Sequence, residues 1–243
     1  MGLNAVTNVA TTHAAVPDSV MTTPIHQSLA GRGLLPAEHF VDSGYPSVAL
    51  LAESRQRFGV ELISPLLADT SYQARTDAGF DRTNFHIDFD RKQATCPQGR
   101  TSSWWHPATQ RGTDAIVIKF SAATCGSCPV RDSCTRSARS GRQLSVPPPE
   151  LHQAQLAARA EQTTTEWQAR YAVRAGVEGT IHQAVAATGA RHARYRGQGK
   201  VHLQHVFSAV ALNLIRLDAY WNDHPLDRTR ISHLARLEFA LAA

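Results

Sequence analysis

The segment from Glu166 to Leu217 constrains the fold most tightly, because it carries two helical patterns separated by a basic turn. In the first pattern, Tyr171, Arg174, Glu178 and His182 recur three or four residues apart and so share one helix face. Apolar residues occupy the neighbouring face, which predicts that Glu178 points back toward a core. Glycines flank Glu178 on both sides, and each costs about 1 kcal/mol relative to Ala inside a helix. They indicate that a substrate or a packed strand comes close to the backbone there.

The basic turn and the long amphipathic helix that follows it have separate predicted roles. The cations of the turn have two possible roles. In the first they contact DNA phosphates, while the tyrosine stacks on a base or packs the turn. In the second they are solvated groups that complement a helix dipole. Apolar side chains of the long helix recur at helical spacing and predict a stripe buried in the core. The turn carries Arg191, Arg194, Tyr195, Arg196 and Lys200, and the stripe comprises Leu203, Val206, Phe207, Val210, Leu214 and Leu217.

Charge and hydropathy restrict the class of partner. The formal net charge is +5 and the sequence pI is about 9.3. This favours nucleic acid over an acidic membrane, since no basic amphipathic helix stands alone. No apolar run reaches the roughly 18 residues of a membrane span, and the N-terminus lacks the pattern of a signal peptide. We therefore expect a cytoplasmic protein with no membrane partner.

The first 67 residues alternate between strand and helix patterns, which predicts a parallel sheet with right-handed crossovers. Strands are expected near Val9, over Glu38 to Asp42 and over Val60 to Ser64, and Ser47 is placed to cap a helix between the last two. This order puts Asp42 at the carboxyl end of a strand, where sites lie in open α/β sheets. An Asp in that position also commonly forms a turn, so the pattern alone leaves both roles open.

All four cysteines lie in a segment with a different pattern, from residue 68 to residue 149, in which short hairpin strands replace the helices. A C-x-x-C pair supplies two thiolates from one turn, and four thiolates suit a tetrahedral structural zinc site. Unligated reduced thiols and an iron–sulfur cluster are the alternatives. No Cys–His pair stands out, so a catalytic thiol is not indicated. The residues are Cys96, Cys125, Cys128 and Cys134.

Particular motifs carry a resemblance to a known family. Y-x-x-R-x-G-V-E-G-T covers Tyr171 to Thr180, A-R-Y-R-G covers Ala193 to Gly197, and A-x-x-L-N-L-I-R-L covers Ala209 to Leu217. Upstream, D-x-G-Y-x-S covers Asp42 to Ser47. These motifs resemble the catalytic domain of DDE transposases from bacterial insertion sequences. Related transposases carry a similar cysteine-rich insertion between their second and third acidic residues.

The resemblance implies a ribonuclease H-like α/β fold with a small, β-rich, cysteine-containing insertion. It implies that Asp42 and Glu178 are the second and third acidic ligands of Mg²⁺ or Mn²⁺ in DNA strand cleavage and transfer. Arg174 joins the residues of the basic turn as an expected nucleic-acid contact. No residue matches the first acidic ligand, and Asp18 has the setting of a helix cap. We therefore expect a truncated transposase that lacks the first strand and first Asp and is close to inactive alone.

Four segments follow from this interpretation. Residues 1–67 form the N-terminal part of the truncated core, 68–149 the insertion, 150–221 the helical part that carries Glu178, and 222–243 a tail. Three hypotheses remain open: a metal-dependent DNA strand transferase, a zinc-containing module that binds DNA or a transposase without catalysis, and a partly unfolded remnant. The expected partners are DNA, at element ends and target, and a second copy or a full-length transposase.

Overall fold

The structure is a computed structural model that describes residues 4–43, 46–110 and 112–223. Over these residues the chain is a mixed α/β protein with small sheets and helices. Its contacts divide it into two compact units, which are described separately. The first comprises Met1–Tyr45, Glu53–Ser64 and Gln168–Ala243, and the second comprises Pro46–Ala52 and Pro65–Trp167.

The first unit contains a parallel pair of short strands. Strand β1 (Glu38–Phe40) pairs with β2 (Glu61–Ile63) in the register Glu38 to Glu61, which confirms the predicted parallel arrangement for these two strands. A short 3-10 helix, Asp18–Met21, precedes the first α-helix, and its N-cap is Pro17 rather than Asp18. The helices wholly or partly in this unit are α1 (Thr22–Ala30), α2 (Val48–Phe58), α7 (Thr165–Ala172), α8 (Ala175–Thr188) and α9 (Gln198–Trp221).

The prediction of a strand near Val9 is wrong, because residues 4–13 form no helix or strand. The backbone of Val6 is instead satisfied by Asn213 of α9: the Val6 amide donates to Oδ1 at 2.8 Å, and Nδ2 donates to the Val6 carbonyl at 2.9 Å. The side-chain amide therefore supplies the donor and acceptor that a neighbouring strand would have provided. Arg216 holds the same segment one helical turn later by donating to the carbonyl of Asn4 at 2.5 Å.

The predicted core stripe of α9 is also wrong. Phe207 and Leu214 are 64% and 60% exposed, and Leu203 and Val210 are exposed as well. The buried face carries Leu212 and Arg216 instead. At about 100° per residue the predicted stripe lies on the opposite side of the helix from Leu212. The polar contacts of Arg216 and Asn213 therefore select the packed face of α9, and the apolar stripe faces outward.

The second unit is built on a three-stranded antiparallel sheet in the order β5 (Trp104–Gln110), β6 (Thr113–Lys119), β7 (Gln143–Val146). Its core contains Phe85, Ile118, Phe120, Cys134, Leu144 and Val146. The short hairpin strands predicted for residues 68–149 are confirmed by the antiparallel pair β3 (His86–Asp88) and β4 (Gln93–Thr95). Its helices are α3 (Tyr72–Thr76), α4 (Ala122–Gly126), α5 (Arg131–Cys134) and α6 (Pro149–Glu161), with a 3-10 turn at Arg82–Asn84.

One glycine of the second unit is fixed by close approach of the backbone. A Cβ added at Gly141 would lie 2.1 Å from the carbonyl oxygen of Phe120. The amide of Phe120 donates to the carbonyl of Arg142 at 2.9 Å, so this close contact lies directly before the start of β7. Only a residue without a side chain fits there.

None of the helices in the part of the chain that the structure describes has the length and apolar character needed to cross a membrane.

Candidate functional site

Arg170 anchors α7 to the two strands of the first unit. Its guanidinium donates to Glu38 at 2.6 Å and to Glu61 at 2.6 Å, and these two glutamates face each other across the parallel pair. Two carboxylates in that position would repel, and one bidentate cation removes the repulsion. The hydrogen bonds lower the pKa of Glu61 and raise that of Arg170. This clamp fixes the end of α7 next to the strand that precedes Asp42.

The next residue, Tyr171, continues this docking. Its hydroxyl donates to the carbonyl of Val41 at 3.3 Å, directly after β1. The helix then breaks, since α7 ends at Ala172 and α8 begins at Ala175 with Arg174 as its N-cap residue. The single helix predicted from the sequence is therefore two helices. The break places Arg174 at the junction, where its side chain reaches back toward the end of β1.

Arg174 brings the two predicted metal ligands together. One nitrogen of its guanidinium lies 3.3 Å from Oδ2 of Asp42, and another lies 3.6 Å from Oε1 of Glu178. Because one planar guanidinium makes both contacts, the two carboxylates lie within about 10 Å of each other. Asp42 follows a strand and Glu178 lies in the first turn of a helix, so two distant parts of the chain converge on one cation.

Both carboxylates are open to solvent. The side chain of Asp42 is 57% exposed and that of Glu178 is 74% exposed, whereas Arg174 is only 22% exposed. The expectation that Glu178 faces a core is therefore wrong. Asp42 also forms a turn, since its Oδ1 accepts from the Ser43 amide at 2.7 Å and its backbone carbonyl accepts from the Ser64 hydroxyl at 2.9 Å. The motif residues Gly44 and Tyr45 lie outside the described residues.

The glycines beside Glu178 face open space. A Cβ added at Gly176 or Gly179 would meet no atom within 4 Å among the residues that the structure describes. Among the residues that the structure describes, no packed strand, which was one of the two predicted explanations, lies against these glycines of α8. The space remains available to a ligand next to Glu178.

The basic turn lies at the opposite end of α8 from Arg174. The eleven positions from Glu178 to Gly189 correspond to roughly 16 Å of helix. All four cations of the turn, Arg191, Arg194, Arg196 and Lys200, are exposed. Over the described residues, no carboxylate lies within ion-pair distance of any of them. The structure therefore separates Arg174 from the rest of the predicted nucleic-acid contacts.

The four cysteines surround one small cavity in the second unit. Cys96, Cys125, Cys128 and Cys134 all line a cavity of about 30 Å³, large enough for one water molecule or ion. Burial raises the pKa of the Cys134 thiol, Arg142 opposes this rise, and the other three cysteines add to it. As the side chains are placed, no three Cys, His, Asp or Glu residues in the described ranges have the geometry of a metal site.

Three polar residues that shape these sites were not identified from the sequence. Arg170 clamps the strands, Arg216 donates to Thr180 and Gln183 of α8 at 2.7 and 3.1 Å, and Gln204 braces the basic turn. Of these three, only Arg216 carried a signal, because it and Asn213 are the two polar residues within the apolar run Leu212 to Leu217. The partners of Arg170 lie far from it along the chain, so spacing could not indicate them.

The chain matches a known protein family. A family model described as a transposase DDE domain matches residues 95–218, a stretch that includes the four cysteines, Glu178 and most of α9 and begins after Asp42. No curated protein and no solved structure matches the chain.

Proposed function

Since this chain belongs to the family of transposase DDE domains, we propose that it acts on DNA through Asp42 and Glu178. These residues would be two acidic ligands of Mg²⁺ or Mn²⁺ in the cleavage and transfer of DNA strands. The observation that carries the proposal is the convergence of both carboxylates on Arg174 at 3.3 and 3.6 Å. DDE transposases generally use divalent metals such as Mg²⁺, and the family implies DNA as the partner.

The donor set at this position suits a hard cation. Carboxylate oxygens are preferred ligands of Mg²⁺, and the exposure of both groups leaves room for the water molecules that Mg²⁺ retains. When bound, such ions activate the attacking hydroxyl and stabilise the leaving oxygen of a phosphodiester. Arg174 already offsets part of the negative charge of the two carboxylates. A metal ion replacing it would free the guanidinium to contact a DNA phosphate beside the reacting bond.

Two carboxylates leave a two-metal site incomplete. A site of that kind places two ions about 4 Å apart, and Asp42 and Glu178 are the two acidic residues assigned to it. We therefore expect the isolated chain to bind Mn²⁺ weakly and to transfer strands slowly or not at all. In this proposal, the first unit is the ribonuclease H-like part of the domain and residues 68–149 are an insertion in it.

We also propose that the four cysteines bind a structural zinc ion after small rotations of their side chains. Support comes from Arg142, whose Nε is buried without a hydrogen-bond partner among the described residues and whose amide donates to Sγ of Cys125 at 3.4 Å. A cation with a buried nitrogen next to thiols is accounted for if the thiols are ionised by a metal. Purified protein should contain one zinc per chain under reducing conditions at neutral pH. Metal-free protein would contradict the site.

A second candidate function is DNA binding without catalysis. The exposed cations of the basic turn, which lack carboxylate partners over the described residues, favour it. It predicts salt-dependent binding that weakens when Arg194 and Arg196 are replaced by Ala, because each lost phosphate contact reduces the number of released counterions. Arg57→Ala removes an exposed arginine outside the turn and serves as the control. Unchanged DNA binding in the double variant would show that the basic turn is not the DNA-binding surface.

A nicking assay separates the two functions. Supercoiled DNA carrying element ends is incubated with the protein and Mn²⁺, and the variants Asp42→Asn and Glu178→Gln are compared with Glu166→Gln, which removes another exposed carboxylate. Catalysis by the proposed site predicts that any metal-dependent nicking is lost in the first two variants and retained in the third. Nicking that persists in Glu178→Gln would remove Glu178 from the mechanism.

A further inference from the structure

A groove lies between the basic turn and the first turns of α9. Its volume is about 590 Å³, within the range of small-molecule sites, roughly 300 to 1,000 Å³. Arg194, Tyr195 and Lys200 line it on the side of the turn, and Leu203, Gln204 and Phe207 line it on the side of α9. The groove therefore combines residues assigned to nucleic-acid binding with part of the apolar stripe that was wrongly predicted to be core.

The backbone of the turn is held in place without using its cations. Gly189 ends α8 in the left-handed region with φ of 69°, and Gly197 precedes α9 with φ of 95°. Gln204 accepts from the Arg194 amide at 2.9 Å and donates to the His192 carbonyl at 2.9 Å. The turn is thus braced against α9 through main-chain groups. Over the ranges that the structure describes, no carboxylate forms an ion pair with Arg194 or Lys200, so their charged ends are available to a ligand.

The wall of the groove is apolar and aromatic although it faces water. Tyr195, Leu203 and Phe207 are 55%, 54% and 64% exposed. Two aromatic side chains beside two cations suit a ligand that has both a flat apolar ring and a negative charge. A nucleotide unit has both, because its base can stack on an aromatic ring while its phosphate meets Arg or Lys.

We propose that this groove binds an unpaired nucleobase of single-stranded or locally opened DNA, with Arg194 and Lys200 on the adjacent phosphates. The inference rests on the proposed DNA-binding function and specifies which form of DNA this part of the chain recognises. A fully paired duplex offers the groove only phosphates, since its bases remain stacked. A second copy of the chain is a poorer occupant, because a symmetric contact would bring the same cations together.

The test compares binding of a fluorescent oligothymidylate and of a duplex of equal length by anisotropy at low salt. We expect tighter binding of the single strand. Tyr195→Ala and Phe207→Ala should weaken it about tenfold with little change for the duplex, because stacking contributes roughly 1–3 kcal/mol per base. Both side chains are more than half exposed, so folding should survive. Trp221→Ala, which removes a 74% exposed aromatic residue outside the groove, is the matched control.

Each outcome decides between the occupants. Equal affinity for single-stranded and duplex DNA, with no effect of Tyr195→Ala or Phe207→Ala, would overturn the proposal that the groove binds an unpaired base. The proposed DNA-binding function would remain intact. Failure to bind either form would overturn both. A change from dimer to monomer in the Phe207→Ala variant, measured by light scattering without DNA, would assign the groove to a second copy and overturn the inference.

Discussion

Replacing Arg174 by Gln should strengthen the binding of Mn²⁺ to the first unit. Arg174 pairs with Asp42 and Glu178 at 3.3 and 3.6 Å, so a metal ion must displace its guanidinium from both carboxylates. Because the carboxylates are largely exposed, each pair contributes only about 0.2–1 kcal/mol. Two such pairs together contribute about 0.4–2 kcal/mol, which corresponds to an affinity gain of about two- to thirtyfold when the competing cation is removed.

The measurement is a titration of the folded protein with Mn²⁺ at low ionic strength, in which electron paramagnetic resonance reports the free ion. Arg57→Gln is the matched control, since it removes the same charge from an exposed pair with Glu53 at 3.2 Å. The gain should be absent in the double variant Arg174→Gln, Glu178→Gln. It should also shrink at high salt, because exposed ion pairs are screened.

Unchanged or weaker Mn²⁺ binding in Arg174→Gln would refute this reasoning. It would show that Arg174 does not compete for the carboxylates, or that they do not bind the ion. A gain of the same size in Arg57→Gln would show that only net charge matters, and the two carboxylates would then lose their assignment as a site.

Three further predictions concern stability and can be checked by urea unfolding. Arg170→Met should reduce the free energy of unfolding by about 1–3 kcal/mol, because the two glutamates it bridges are left facing each other. Replacing both glutamates by Gln in that variant should restore most of the lost stability, and no restoration would contradict the role of Arg170 as a clamp. Burial and a neighbouring histidine lower the pKa of His39 to about 4, so the unfolded state binds more protons than the folded one between about pH 6.5 and 4, and the free energy of unfolding should fall by roughly 2–3 kcal/mol over this window. His39→Asn should flatten the pH profile there, and an unaltered slope would show that His39 does not cause the pH dependence. Gly141→Ala should destabilise the second unit by about 1–3 kcal/mol because the added methyl group clashes with backbone, whereas Gly176→Ala, at an exposed and uncrowded position, should be tolerated. If the Gly141→Ala variant is as stable as the unmodified protein, β7 can shift to accommodate the methyl group.

The sequence carried enough information to identify local elements and the family. The Ser47 cap, whose hydroxyl accepts from the Leu50 amide at 3.1 Å, and the β3–β4 hairpin depend on neighbouring residues and were predictable for that reason. The transposase resemblance rested on motifs, most of which lie within the matched stretch of residues 95–218. The spacing of four residues also placed Arg174 and Glu178 on one helix face, which agrees with their contact at 3.6 Å.

Only the tertiary structure decided which faces are buried and which distant groups meet. The apolar stripe of α9 points outward, because Asn213 and Arg216 bind the backbone of residues 4 and 6 from the other side of the helix. Asp42 reaches Arg174 because the clamp between Arg170 and two strand glutamates docks α7 beside β1. Helical periodicity shows that a face is apolar but cannot show whether anything covers it. A few charged and amide side chains with partners far along the chain made that choice.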